Sequence, residues 1–145
     1  MKNKIAKKQD QLVPYLISVP GIGDSAIGYI SVLEKKNLPI RIARVYWTYF
    51  TPESVIRGYH SHKKNEQLLV AAAGTIQVST EDVFGNKKKF ILKKPDQGLF
   101  LPVHCWHTMK FSHNAVLLVL ASRKYEASDY IRDYGQYKKN IRRKK

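Results

Sequence analysis

From about residue 26 to residue 121 the chain passes through short runs rich in β-branched and aromatic residues, each closed by Gly, Pro, Asn or Asp, with no helical period between them. That pattern restricts the fold to sheets. Short strands joined by short turns bury their apolar faces by packing sheet on sheet or by closing into a barrel, so the expected architecture is an all-β jelly roll. Residues 40–50 alternate, with Ile40 and Ile42 and then Val45, Trp47 and Tyr49 apolar, and the change of phase at Ala43-Arg44 predicts a bulge. Residues 75–80 and 88–92 flank Glu81-Asp82-Val83-Phe84-Gly85-Asn86, a hairpin connection. Residues 98–102 and 115–121 supply further strands, the second so continuously apolar that it belongs at the centre of a sheet. A short C-terminal helix is expected only at residues 128–134, where Ser128 would cap it as it leads into a basic tail.

With 145 residues, 43% of them hydrophobic, the chain supports one core, and a single domain over residues 1–145 is expected. The lone cysteine, Cys105, cannot form an internal disulfide, and no apolar stretch is long enough to cross a membrane. The basic N-terminus is not followed by the apolar segment of a signal peptide, so a cytoplasmic location is expected. The net charge of +15 invites a nucleic-acid reading, but its distribution argues otherwise. Ten basic residues lie in tails at 1–8 and 138–145, expected to be flexible, leaving 16 basic against 11 acidic residues between them. Nucleic acid is therefore not an expected partner, whereas residual positive charge suits a small phosphate-bearing ligand.

The chemistry is expected at His60-Ser61-His62. On a strand, residues i and i+2 share a face, so the two imidazoles lie side by side and can bind a metal or move protons. Glu66 and Gly74 follow, and Pro102-x-His104-x-x-His107 comes after a later strand. This pattern resembles the two motifs of the cupin superfamily, which implies a double-stranded β-helix. His60, His62, Glu66 and His107 fall on the positions that bind metal in metal-dependent cupins, and His104 stands where a glycine is usual. Three imidazoles and a carboxylate could hold a divalent transition metal, so a metal-dependent oxygenase or isomerase is one reading. A non-catalytic sugar- or RNA-binding module that uses the basic tails is another.

A closer resemblance selects a third. The string from Arg57 to Gln67, together with Gly98-Leu99-Phe100-Leu101-Pro102, Trp106-His107-x-Met109, Val119-Leu120-Ala121-Ser122 and Ser128-Asp129-Tyr130-Ile131-Arg132-Asp133-Tyr134, is similar to the dTDP-4-keto-6-deoxyglucose 3,4-ketoisomerases. The resemblance implies a pocket without metal or cofactor, a dTDP-linked keto sugar as substrate, and a homodimer in which an N-terminal strand adds to the partner's sheet. It gives the proton shuttle to His60 and/or His62. Substrate contacts are expected from Arg57, Arg44, Tyr46 and His107, with Glu66 orienting an imidazole or serving as a strand-end carboxylate. Trp47, Tyr49 and Trp106 are candidates to stack on thymine or to fill the core, and Lys63 and Lys64 are solvated or attract the diphosphate. Two departures stand out: Ser25-Ala26-Ile27-Gly28 replaces the family's Asp-x-Arg-Gly, and Ser61 replaces its usual alanine. Trp106-His107 favours a galacto over a gluco 3-keto product, which would feed 3-amino-sugar and surface-polysaccharide synthesis.

Overall fold

The computed structural model describes residues 11–142. Its strands are β1 (Tyr15–Ser18), β2 (Gly21–Asp24), β3 (Gly28–Ser31), β4 (Arg44–Thr48), β5 (Ile56–His62), β6 (Gln67–Ala73), β7 (Ile76–Glu81), β8 (Lys87–Leu92), β9 (Gln97–Leu101), β10 (Trp106–Phe111), β11 (Val116–Ala121) and β12 (Tyr130–Ile131), followed by the helix α1 (Tyr134–Arg142). Two antiparallel sheets face each other, in the orders β1-β9-β6-β11-β4 and β12-β5-β10-β7-β8, with β2 and β3 as a separate hairpin. This is the expected all-β jelly roll. The apolar run of β11 lies inside its sheet, between β6 and β4, with Leu117, Val119, Leu120 and Ala121 buried and Val116 and Leu118 half-buried.

Inward residues of both sheets make one core, including Leu69 and Ala71 of β6, Ile76 and Val78 of β7, Leu99 and Leu101 of β9, Phe111 of β10, and Leu117 and Val119 of β11. Alternation places every second residue there, and at roughly 25 cal/mol per Å² of apolar area this burial is the main force holding the sheets together. Cys105 is a buried member of the same cluster, where desolvation raises its thiol pKa and keeps it an inert small hydrophobe. The turn between β7 and β8 is held by Asp82, whose Oδ1 accepts the N–H of Phe84 at 2.9 Å and of Asn86 at 2.9 Å.

The structure corrects several local expectations. The predicted bulge at Ala43-Arg44 is instead the start of β4, with Ile40 outside the strand and buried against Leu68, Phe100 and Leu120. Residues 127–129 form a 3-10 turn with no side-chain cap, and the helix begins six residues after Ser128, where Asp133 Oδ1 accepts the Gln136 N–H at 2.6 Å. The helix therefore incorporates part of the basic segment expected to be a tail. Tyr137 and Ile141 are buried beside Val83 and Ile131, Tyr137 Oη donates to Glu81 O at 2.6 Å, and Lys138 pairs with Glu81. The tail expected at residues 1–8 and the last three residues lie outside the described part. Among the described residues no helix is long and apolar enough to cross a membrane.

Candidate active site

Between the two sheets a cleft of about 570 Å³ is lined by residues of both. Sheet one contributes Arg44, Tyr46 and Thr48 from β4, Gln67 from β6 and Val119 from β11; sheet two contributes Arg57 and His60 from β5 and His107 from β10. The segment after β11 closes the side with Tyr125, Tyr130 and Arg132. A second groove of about 740 Å³ crosses the outer face of sheet two among Lys87, Lys89, Trp106 and Tyr134, but it contains no histidine.

A bulge in β5 aims the histidines. Gly58 and Tyr59 both have positive φ, at 97° and 55°, and the β5–β10 register shifts between His107 and Thr108. A side chain at position 58 would meet His107 O at 2.6 Å, so glycine is required there sterically as well as conformationally. Beyond the bulge His60 pairs directly with His107 across the strands, and β12 places Tyr130 opposite His62. Ring centroids of His60 and His107 are 4.6 Å apart, those of His60 and His62 5.0 Å, and Tyr130 lies 5.0 Å from His60 and 4.5 Å from His62. His104, at the usual glycine position of the second motif, has φ 55°, which explains why glycine is favoured there.

Each of the three imidazoles has its Nδ1 beside an oxygen. His60 Nδ1 is 3.0 Å from Gly58 O, His107 Nδ1 is 3.1 Å from Cys105 O, and His62 Nδ1 is 2.9 Å from Asp129 Oδ2. Carbonyls and carboxylates only accept, so Nδ1–H donates in all three and each Nε2 keeps its lone pair. Burial disfavours the imidazolium throughout. It lowers the His60 pKa; with repulsion from His60 it holds His62 at about 4 and His107 at about 3, all below the usual 6.5. At neutral pH the cluster consists of neutral imidazoles able to accept a proton.

The cleft is also cationic. Arg44, Arg57 and Arg132 line it, and none of them is ion-paired among the described residues. Arg44 stacks its guanidinium 5.2 Å from the Tyr46 ring and 5.6 Å from that of Tyr125, with its Nε buried and without a hydrogen-bond partner among the described residues. Arg132 lies 4.3 Å over the Tyr130 ring. Burial raises the Tyr46 pKa, so it stays a neutral phenol, and its hydroxyl accepts from Gln67 Nε2 at 2.9 Å.

The structure brings His60, His107, Arg44, Arg57 and Tyr46 together around the cleft and sets His62 directly behind His60 and Tyr130. Glu66 is not with them. Its backbone N–H donates to Ser122 Oγ at 2.8 Å, and its carboxylate, raised in pKa by burial, is offset by Arg123. It orients no imidazole; the carboxylate against His62 is that of Asp129. Without Glu66 the four-ligand metal arrangement of the motif does not form, and no group of three or more His, Cys, Asp or Glu among the described residues is arranged to hold a metal ion. Trp47 and Tyr49 are exposed, because the inward face of β4 is the one bearing Arg44, Tyr46 and Thr48. Trp106 packs instead on Tyr134 and Tyr137, outside sheet two. Lys63 donates to Ser128 O, and neither Lys63 nor Lys64 lines the cleft. Sequence reasoning missed Gln67, Tyr125, Asp129, Tyr130 and Arg132 as site residues. For the last three the available signal was the similarity of residues 128–134 to the ketoisomerases, read as a helix.

A family model described as FdtA, WxcM-like, C-terminal, matches residues 13–142. The chain is 40% identical over 128 residues to a TDP-4-oxo-6-deoxy-α-D-glucose 3,4-oxoisomerase of Aneurinibacillus thermoaerophilus, an alignment covering 87% of this chain and 91% of that protein. Among solved structures it resembles the sugar 3,4-ketoisomerase QdtA of Thermoanaerobacterium thermosaccharolyticum, in complex with TDP, with a TM-score of 0.84 and 34% identity, covering 90% of this chain and 96% of that one. It also resembles the TDP-quinovose 3,4-ketoisomerase WlaRB of Campylobacter jejuni, with a TM-score of 0.81 and 37% identity, covering 88% and 98%.

Proposed function

We infer the reaction from kinship and from the site together: the chain belongs to the FdtA family of WxcM-like C-terminal domains, its similar relatives are 3,4-ketoisomerases, and we propose that it moves the keto group of dTDP-4-keto-6-deoxy-D-glucose from C4 to C3. The observation that carries this reading is a set of neutral imidazoles beside three unpaired guanidinium groups in one cleft. The task needs both. Isomerisation removes the proton on C3, sends its electron pair into a C3–C4 double bond as the C4 carbonyl becomes an enolate, exchanges a proton between the two oxygens, and returns a proton to C4. A neutral imidazole takes the first proton and the resulting imidazolium returns one, a role we give to the His60/His62 pair. The diphosphate is the ligand part that unpaired cations favour, and Arg44, with its unsatisfied Nε, and Arg57 are placed to bind it or the developing enediolate. Tyr46 and His107 supply sugar contacts.

The galacto epimer is the proposed product. Of the Trp106-His107 pair that favoured it, only His107 faces the cleft, and we assign the C4 stereochemistry to that residue. A place in 3-amino-sugar and surface-polysaccharide synthesis follows from the family resemblance. The lone, buried Cys105 supports a cytoplasmic setting.

We also propose a homodimer. Among the described residues the first strand, β1, pairs with β9 of its own chain. The β2–β3 hairpin holds Ile22, Ile27, Tyr29 and Ile30 exposed, and among the described residues β4 ends its sheet with Val45 and Trp47 exposed. An apolar arm and an open edge on one chain are complementary between two copies.

The test is an NMR time course of chelator-treated protein with dTDP-4-keto-6-deoxyglucose in deuterated water. Conversion to a 3-keto sugar carrying solvent deuterium at C4 is the expected result, and a parallel run in ordinary water, where C4 keeps a proton, reads galacto against gluco from the H4–H5 coupling. Conversion only after a metal is restored would establish the metal-dependent alternative; no conversion under either condition would overturn the proposed activity.

A further inference from the structure

We propose that Asp129 is a positioning residue: it holds His62 in the tautomer protonated at Nδ1 and so makes Nε2 the atom through which His62 exchanges protons. This rests on the proton-shuttle reading for its catalytic consequence, but not for the tautomer itself.

Asp129 reaches the site from outside both sheets, in the 3-10 turn before β12, and is 8% exposed. Both its carboxylate oxygens are engaged. Oδ2 lies 2.9 Å from His62 Nδ1, and Oδ1 accepts the Lys64 N–H at 2.7 Å. The turn carrying it is fastened to the β5–β6 connection by the Lys63 N–H donating to Asp129 O at 2.9 Å and by Lys63 Nζ donating to Ser128 O at 2.8 Å. Immediately afterwards Tyr130 and Ile131 pair with His62 and Ser61. The backbone that carries the carboxylate therefore cannot move away from the imidazole without breaking a sheet edge, and the side chain cannot rotate away without giving up the Lys64 N–H.

An ionised carboxylate offers no proton, so the hydrogen of the Nδ1···Oδ2 contact belongs to His62. That leaves Nε2 as the lone pair, and it is buried with no hydrogen-bond partner among the described residues. The structure keeps a basic nitrogen unsatisfied inside the protein while tying its ring by the opposite atom, the arrangement by which a carboxylate sets the tautomer of a catalytic imidazole. When Nε2 takes a proton, the imidazolium forms against a carboxylate already in place; when it gives the proton up, the same tautomer is restored. A purely structural Asp129, clamping the turn through Lys64, requires only an acceptor at Oδ1.

Asp129→Asn separates the two roles, since the amide oxygen can still accept from Lys64 while the NH₂ group replaces the oxygen facing His62. That donor demands a lone pair at Nδ1 and drives the proton to Nε2. The measurement is a long-range ¹H–¹⁵N spectrum of histidine-labelled protein, alongside steady-state kinetics on the 4-keto sugar nucleotide and TDP binding. Expected are an Nδ1-protonated His62 in the parent, an Nε2-protonated one in the variant, kcat lowered by roughly 10²-fold and KM and TDP affinity held within about twofold. An Nε2-protonated His62 in the parent, or an unchanged kcat in a variant whose tautomer has inverted, would overturn the proposal. Should the variant not fold, the parent spectrum alone decides the tautomer. A parent with the expected tautomer but no turnover would sink the ketoisomerase reading and leave the Asp129–His62 assignment standing.

Discussion

Acid should destabilise this protein well above the pH at which its carboxylates titrate. His62 and His107 are almost wholly buried, and in the folded chain their pKa values are about 4 and about 3 against 6.5 when exposed. A depressed histidine pKa means that the unfolded chain binds the proton first, so the stability gained from keeping the ring neutral is complete above pH 6.5 and is lost as pH falls toward the folded value. At about 1.36 kcal/mol per pH unit and site, each of the two would forfeit on the order of 2 kcal/mol between pH 7 and pH 5. Part of each depression is repulsion among the imidazoles themselves, absent while the neighbours are neutral, so the pair together should lose about 3 kcal/mol. His60 shifts in the same direction and adds to the loss. The assay is urea unfolding at pH 7, 6 and 5, reading the free energy from midpoint and slope. The double variant His62→Gln, His107→Gln should start less stable at pH 7 yet show a much flatter pH dependence. Equal slopes in parent and variant, or a parent equally stable at pH 7 and pH 5, would refute the claim that these rings are held neutral by burial.

His60→Asn and His62→Asn should each lower isomerisation while fold and nucleotide binding persist; unchanged turnover in both would remove the proposed shuttle. Arg57→Ala should weaken substrate binding or enediolate stabilisation by roughly 1.5–3 kcal/mol per charge-assisted hydrogen bond lost, read as a fall in kcat/KM, and parent kinetics would show Arg57 to be a surface cation. Replacing Ile22 and Ile30 by Asp should shift the proposed dimer to monomer in light scattering, and a parent that is already monomeric would end the hairpin-exchange idea. Ser61→Ala should raise stability by about 1 kcal/mol in the same urea assay, because the Ser61 hydroxyl is fully buried without a partner among the described residues. A loss of stability would mean that the hydroxyl is satisfied in solution.

Local chemistry sufficed for much of this molecule. Turn residues identify the β7–β8 hairpin and a continuous apolar run identifies the central β11, because both signals depend on neighbours a few residues apart. The i, i+2 spacing puts His60 and His62 on one face for the same reason, and the family resemblance brings His107, Arg57, Arg44 and Tyr46 into the same proposal. What local pattern could not decide is which way a strand faces when both its faces carry aromatics. On β4 the choice sends Tyr46 to the cleft and Trp47 to the surface, and on β10 it sends His107 in and Trp106 out against the C-terminal helix. Nor could spacing choose between the carboxylates of Glu66 and Asp129. Glu66 is close in sequence but turns toward Arg123, whereas Asp129, 67 residues from His62, reaches it because β12 adds to the edge of β5. The residue types and their order determined that this chain would build a sandwich with imidazoles in its mouth. Sheet pairing across long separations decided which charges and rings surround them, since those contacts are formed by strand register and not by neighbours along the chain.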